Sequence, residues 1–163
     1  MLLGDPYKFA VLAKVIPAWN ANETFGNGVL MICIDGQLFP REIVTAPLKA
    51  ELYWLREKLR QISVDKVLYQ LPKEHAFAAI YDLTFPLDSA AANDYRFDLT
   101  PDSLADSSSF VFAVSDGERV RFMAAELAYD FSLSRHDLRQ AMISESTLSI
   151  AALKQIAAAM IVD

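Results

Sequence analysis

The sequence contains one cysteine, two histidines and five glycines among 163 residues, and each scarcity excludes a class of site. A single cysteine, Cys33, cannot form an intrachain disulfide, and its place inside an apolar run predicts a small buried side chain rather than a reactive thiol. A zinc site needs several Cys or His ligands at short spacing, whereas Cys33, His75 and His136 lie far apart. The sequence therefore predicts neither a metal site nor a disulfide.

Motifs of catalysis and cofactor binding are missing as well. The glycines form neither the Gly-x-Gly-x-x-Gly loop of dinucleotide-binding folds nor a Walker-type phosphate loop, and no Gly-x-Ser-x-Gly nucleophile motif occurs. His75 and His136 fit surface or helix-capping roles, so we predict that the chain is not an enzyme and binds no cofactor. An enzymatic alternative requires two or more acids to meet in a deep pocket, with the candidates Asp82, Asp94, Asp98 and Glu126.

Long hydrophobic runs are also absent. The longest cover residues 29–34 and 156–162, far short of the roughly 20 residues that cross a bilayer. The first residues lack the basic stretch and apolar segment of a secretory signal, which predicts a cytoplasmic protein without a membrane span. With 53% hydrophobic and 22% charged residues, the composition predicts a single folded domain over residues 1–163.

The negative charge is concentrated in one part of the chain. Residues 82–118 hold eight acids against Arg96 alone, a net charge of −7, whereas the remaining thirteen acids and fourteen bases sum to +1. Such a segment repels nucleic-acid phosphates and attracts a basic protein surface. A solvated loop without a partner remains the alternative explanation.

Two Asp-Gly dipeptides, each between strand-like segments, predict two β-hairpins with tight turns. The first joins residues 29–34 to 37–44, and its first strand is apolar on both faces, which predicts cover on both sides. The second joins residues 110–114 to 119–124. There Arg119 and Arg121 alternate with apolar residues, which predicts that one face meets solvent.

Three segments have the spacing of helices. Leu48, Leu52, Leu55 and Leu59 form an apolar stripe that predicts a helix with Thr45 as its cap and Pro47 in its first turn. A second helix is predicted from Pro72 to just before Pro86, and a third from a Ser149 cap through residue 161.

Two further segments complete the prediction of an α+β fold, a mainly antiparallel sheet packed with about three helices. Residues 7–16 predict a strand, with a short helix as the alternative. Residues 134–144 fit either a helix or a strand.

Residues 88–109 are rich in Ala, Asp, Ser and Asn and lack sustained periodicity, apart from a short strand candidate at residues 95–98, which predicts an exposed acidic loop. Aromatic side chains are common anchors of protein interfaces, so Trp19 and Tyr95 are candidate anchors. The predicted partner-binding set consists of Asp88, Asp94, Tyr95, Asp98, Asp102 and Asp106.

Three short patterns resemble a bacterial family. Residues 4–10 (GDPYKFA), 28–30 (GVL) and 34–36 (IDG) are together similar to immunity family 42 of the polymorphic toxin systems, over roughly the first 60 residues. The resemblance implies a small cytosolic protein that is encoded beside a toxin, often a contact-dependent or secreted effector. The protein binds that toxin and blocks it. The resemblance implies a role and no catalytic residues, since the matched residues serve turns and the core.

The functional prediction is therefore an immunity protein that masks the active site of a cognate, basic toxin domain, such as a nuclease, through its acidic surface. The alternative is a non-enzymatic adaptor or chaperone-like binding module of a secretion or phage system. Neither alternative involves nucleic acid or a membrane, and the sequence predicts no oligomeric state.

Overall fold

The computed structural model of the protein describes residues 1–20 and 26–160. The strands of this part of the chain are β1 (Leu2–Asp5), β2 (Phe9–Val15), β3 (Asn27–Ile34), β4 (Gln37–Phe39), β5 (Ala46–Pro47), β6 (Ser109–Ser115), β7 (Arg119–Glu126), β8 (Tyr129–Asp130), β9 (Arg135–His136) and β10 (Ser144–Ser149). The helices are α1 (Leu48–Arg60), α2 (Lys66–Gln70), α3 (Lys73–Thr84), α4 (Asp102–Asp106) and α5 (Ile150–Ala159). A 3₁₀ turn covers Pro17–Trp19.

The strands form two main sheets and one small hairpin. In the first sheet the order is β1-β2-β3-β4, and β5 also pairs with β3; the second sheet has the order β10-β7-β6, and β8 pairs with β9. Every one of these strand pairs is antiparallel. The predicted α+β fold with a mainly antiparallel sheet is confirmed, and α1, α3 and α5 are the three longer helices of the described chain.

The first predicted hairpin is confirmed, with a shorter second strand. Asp35 and Gly36 both have positive φ, 52° and 73°, as a two-residue type I′ turn requires, and a glycine adopts this conformation without strain. Strand β4 ends at Phe39, because Pro40 follows it and has no N–H to continue the ladder.

The second hairpin pairs as predicted, but its turn is wider. Ser115 pairs with Val120, so four residues form the turn, and only Gly117 among them has a positive φ. The Asp116 carboxylate accepts hydrogen bonds from the backbone N–H groups of Glu118 and Arg119, at 2.9 and 2.8 Å. These side-chain bonds stabilise the longer loop.

The prediction that one face of the second hairpin meets solvent is wrong. Phe122 stacks on Phe9 of the first sheet with ring centroids 4.2 Å apart, while Met123 on the opposite face is fully buried. Arg121 is only 7% exposed, because its guanidinium donates to the Glu145 carboxylate and to backbone carbonyls. A strand with an alternating arginine is therefore covered on both sides.

The second sheet separates two hydrophobic cores. On one face, Val111, Val120 and Phe122 pack with the first sheet, α1 and α5. On the other face, Phe112 and Met123 pack with α3 (Lys73–Thr84), which confirms the helix predicted from Pro72 to just before Pro86.

The N-termini of α1 and α5 are capped differently. Thr45 does not cap α1, because the helix starts at Leu48 and Pro47 occupies the capping position without a side-chain hydrogen bond. At α5 the Ser149 hydroxyl accepts from the backbone N–H of Ala152 at 3.2 Å, as predicted. The predicted end of this helix at Ile161 lies outside the described residues.

Strand β2 confirms the strand predicted over residues 7–16, so the helical alternative is wrong. Residues 134–144 form neither a helix nor one strand; Arg135–His136 pairs with β8, and β10 begins at Ser144. Strands β1 and β10 and helix α2 are not predicted from the sequence. Within the described residues, no helix has both the length and the apolar character needed to span a membrane.

The prediction that residues 88–109 form an exposed loop is wrong for their middle part. Phe97 and Leu99 are 1% and 2% exposed. The backbone N–H of Leu99 donates to the Val111 carbonyl at 2.9 Å, and that of Ala113 donates to the Phe97 carbonyl at 2.9 Å. The segment thus covers the free edge of β6 and leaves no unpaired strand there.

Candidate partner-binding surface

The acidic segment begins as a loop that is tied to the end of α3. The backbone N–H of Asp94 donates to the Leu83 carbonyl at 2.9 Å, and the Asn93 side-chain amide donates to the Thr84 carbonyl at 2.8 Å. Asp88 is exposed, and its carboxylate accepts from the backbone N–H of Ala90 at 2.9 Å. The loop therefore presents Asp88 to solvent on a backbone that its own hydrogen bonds hold in place.

Tyr95 lies at the end of this loop and is 48% exposed. Its ring makes an edge contact with Phe85, with centroids 6.4 Å apart, and its carbonyl accepts from Lys58 Nζ at 2.7 Å. Asp94 is half-buried and its Oδ2 lies 2.9 Å from Nε of Arg96. Tyr95 can therefore contact a partner, while the charge of Asp94 is partly neutralised.

Asp98 belongs to the buried part of the segment. It is 8% exposed, and its Oδ1 accepts from the backbone N–H of Thr100 at 2.9 Å. Burial raises the pKa of this carboxyl, since the charged form is poorly solvated there. Asp98 therefore lies beneath the surface, where its carboxylate binds the backbone of the segment.

Asp102 and Asp106 are the first and last residues of α4, and both are exposed. The helix is fixed to α1 through Ser103, whose backbone N–H and hydroxyl donate to the Glu51 carboxylate at 2.8 and 2.6 Å. Burial raises the pKa of Glu51, and the nearby charges of Asp102 and Asp106 raise it further. These two acids therefore face outwards beside the first turns of α1.

Helix α1 contacts the segment that holds the predicted partner-binding residues at two positions. Glu51 contacts α4, whereas Lys58 contacts Tyr95. Seven residues of helix correspond to about 10 Å, so α4 and the Tyr95 loop contact positions of α1 that lie roughly that far apart. Trp19, the other predicted anchor, is 39% exposed on a 3₁₀ turn beside β3.

Sequence reasoning missed a cluster around His136. Its Nδ1 lies 2.9 Å from the Tyr81 hydroxyl, and its Nε2 lies 3.1 Å from the Ser108 hydroxyl. Burial lowers the pKa of His136, which keeps the imidazole neutral at pH 7. The predicted surface or capping role of His136 is therefore wrong: the side chain is half-buried and joins α3, β9 and the turn before β6.

A groove opens beside this cluster, between α3 and the β8–β9 hairpin. Its volume is about 490 Å³, and Tyr81, Phe85, Phe110 and His136 contribute to its lining. Tyr81 and Phe85 lie four residues apart at the end of α3, but Phe110 comes from β6 and His136 from β9. Only the folded chain brings them together.

No group of three or more His, Cys, Asp or Glu residues is arranged to hold a metal ion in residues 1–20 and 26–160. Cys33 is buried, and burial raises the pKa of its thiol.

Comparison with known families gives a match over nearly the whole chain. The family model described as Immunity protein 42 matches residues 1–161. No curated protein matches the sequence.

A solved crystal structure, that of CdiI from Burkholderia dolosa AUO158, has the same fold. It superposes on this chain with a TM-score of 0.77 at 22% sequence identity. The alignment covers 97% of this chain and 96% of that chain, so the likeness extends over both molecules. At this identity the likeness concerns the fold.

Proposed function

The chain belongs to the Immunity protein 42 family, and from this membership we propose that it neutralises its cognate toxin by covering the toxin's active site with the acidic surface of residues 88–106. Membership of an immunity family confirms the predicted role as an immunity protein and the prediction that the chain is not an enzyme. The proposal concerns how the toxin is held.

One observation carries the proposal: the concentrated negative charge coincides with accessible side chains on a fixed backbone. Asp88, Tyr95, Asp102 and Asp106 all reach solvent, and hydrogen bonds to α3 and α1 hold the backbone on both sides of them. Fixed charges lose little conformational entropy when a partner binds, which favours tight association.

The partner that fits this surface is a toxin domain with a basic active site. A nuclease is one such toxin, since its active site must attract phosphates, and carboxylates placed there compete with the nucleic acid. The complex forms in the cytoplasm under this proposal. An adaptor role has no observation of its own in its favour.

The test is a binding measurement with the toxin domain encoded beside the chain. We expect a complex with a dissociation constant below micromolar, measured by isothermal titration calorimetry. In the triple variant Asp88→Lys, Asp102→Lys and Asp106→Lys, three attractive contacts become repulsive, so we expect binding to weaken by at least about a hundredfold.

The matched control is the triple variant Glu42→Lys, Glu74→Lys and Glu118→Lys. These acids also lie at the surface, and the change in net charge is the same, but they lie outside the proposed surface. We expect this control to weaken binding by less than about tenfold. Equal losses in both variants would mean that only total charge matters, and no loss in either would place the interface elsewhere.

A further inference from the structure

Six rings form a continuous chain of contacts across one side of the molecule, in the order Tyr95, Phe85, Tyr81, His136, Tyr129, Phe131. Successive ring centroids lie 6.4, 5.0, 6.2, 5.2 and 5.0 Å apart, all in tilted or edge-on geometry. The middle of the chain is buried, with Tyr81 only 3% exposed, while the two ends are open. Phe131 is 88% exposed.

The groove beside His136 follows this chain of rings, and its rim is apolar. Leu87, Tyr129 and Leu133 line the groove and are 74%, 43% and 54% exposed. Large apolar side chains that cluster on a surface in this way mark an interaction site far more often than single exposed ones do. Aromatic residues are also the residues most enriched at the centres of interfaces.

The floor of the groove is held rigidly. The Tyr81 hydroxyl and the Ser108 hydroxyl fix the imidazole of His136 from both ring nitrogens. The Arg135 guanidinium lies over the Tyr81 ring, 5.5 Å from its centroid, and its Nη2 is 2.7 Å from the Asp82 carboxylate. A pocket whose side chains are already ordered favours binding, since little entropy is lost there.

The arginines in and near the groove each have an acid as a partner. The charge around the groove is negative, because the acids there outnumber the bases. Arg135 pairs with Asp82, and Arg96 pairs with Asp94. Arg139 pairs with both Asp130 and Asp137, and the pKa of Asp137 falls to about 2 as a result. Together with exposed Asp88 and with Lys58, whose Nζ donates to the Tyr95 carbonyl, five acids face four bases, a local net charge of −1.

We propose that this aromatic groove is the central anchor site for the cognate toxin, and that it takes an apolar side chain of the toxin flanked by basic residues. The inference rests on the proposed function and deepens it. The groove supplies the desolvated apolar centre that hot spots require, and the acids at its edge supply the complementary charge. Asp88 follows the groove residue Leu87 in the chain, and the Tyr95 ring contacts the groove residue Phe85, so the acidic surface adjoins the groove.

The test compares two double variants that remove similar amounts of exposed apolar surface. The groove variant is Leu87→Ser with Phe131→Ser; Leu87 lines the groove, the Phe131 ring contacts the groove residue Tyr129, and the two are 74% and 88% exposed. The control is Ile43→Ser with Tyr7→Ser, at residues that are 70% and 79% exposed and lie outside the groove. Because all four side chains are largely in solvent, neither variant should lose its fold.

Binding is measured by calorimetry with the toxin domain encoded beside the chain. We expect the groove variant to bind on the order of a hundredfold more weakly and the control less than about threefold more weakly. Hydroxyl-radical footprinting of the wild-type complex should show protection of Tyr129, Phe131 and Leu133, with Tyr7 still reactive.

The outcomes separate the two proposals. If wild type binds the toxin and the groove variant binds as the control does, the groove proposal is overturned and the proposed function stands. If wild type does not bind, the proposed function itself fails. Should the groove variant change only the self-association of the chain in light scattering, the groove would be a contact between two copies and the proposal would be overturned.

Discussion

His136 joins three separate parts of the molecule through two hydrogen bonds. It lies on β9, and its ring contacts the Tyr81 hydroxyl of α3 and the Ser108 hydroxyl before β6. A neutral imidazole has one donor and one acceptor nitrogen, which is what two hydroxyl partners can satisfy. Burial lowers its pKa below the ordinary value of 6.5, so a proton disfavours the folded state.

The sign of the resulting pH dependence follows from the lowered pKa. Below pH 6.5 the unfolded chain takes up a proton at His136 more readily than the folded chain does, so the stability of the fold decreases as the pH falls. The loss is complete once the pH is below the folded-state pKa. We expect the free energy of unfolding of wild type, relative to the variant His136→Gln, to rise between about pH 5 and pH 7 and then level off.

Chemical denaturation in urea at several pH values provides the measurement. The comparison with His136→Gln is needed because Glu51 and Asp98 change the stability of the fold with pH in the opposite direction. Burial raises the pKa of both carboxyls above their ordinary values of 4.5 and 3.8, so the stability they contribute at low pH is lost as the pH rises through their folded-state pKa values. A pH-independent difference between wild type and variant would contradict the assigned burial of His136.

At the scale of the elements, Arg121 connects the second sheet to the segment around α2. Its Nη1 donates to the carbonyls of Tyr69 and Leu71 at 2.8 and 2.6 Å, and its Nε donates to Glu145 of β10 at 2.7 Å. A single buried guanidinium therefore satisfies two backbone acceptors and one carboxylate. Removal of the cation would leave all three groups without this donor.

The substitution Arg121→Met tests this connection. We expect it to lower the free energy of unfolding by about 3 kcal/mol, because two backbone carbonyls lose a charged donor and the partly exposed Glu145 carboxylate loses its cation. The control is Arg119→Met on the same strand, where the arginine is exposed and donates to the Thr147 hydroxyl at 2.8 Å. Its expected effect is below about 0.5 kcal/mol, and equal effects of the two substitutions would disprove the role of Arg121.

At the level of the whole molecule, the excess negative charge belongs to one segment of the chain. The net charge is −6, and residues 82–118 carry all of the excess. Opposite charges on two proteins accelerate their encounter, and salt screens this attraction with a Debye length of about 10 Å at 0.1 M.

We therefore expect the association rate with the toxin to fall by at least about tenfold between roughly 20 and 500 mM salt, while the dissociation rate changes less. Stopped-flow fluorescence gives both rates. The triple variant at Asp88, Asp102 and Asp106 has a net charge of 0 and should lose most of the salt dependence. An association rate that does not depend on salt in wild type would contradict electrostatic steering.

Elements with local sequence signals can be predicted from the amino-acid sequence alone. The Asp35-Gly36 turn, the leucine stripe of α1 and the Ser149 cap are each predicted from residues close in sequence, and each forms as predicted. The absence of catalytic motifs and the resemblance of the first 60 residues also agree with the family of the chain. These features depend on turn geometry, helical periodicity and capping, which neighbouring residues decide.

Which polar residues are buried, and which surfaces adjoin one another, depends on the folding of distant parts of the chain. The sequence predicts Arg121 and Asp98 as exposed, yet one is held by carbonyls some 50 positions away and the other lies along the edge of β6. The aromatic groove likewise combines α3, β6 and the β8–β9 hairpin. Burial depends on contacts between residues far apart in the chain, and a single sequence carries no local signal for such contacts.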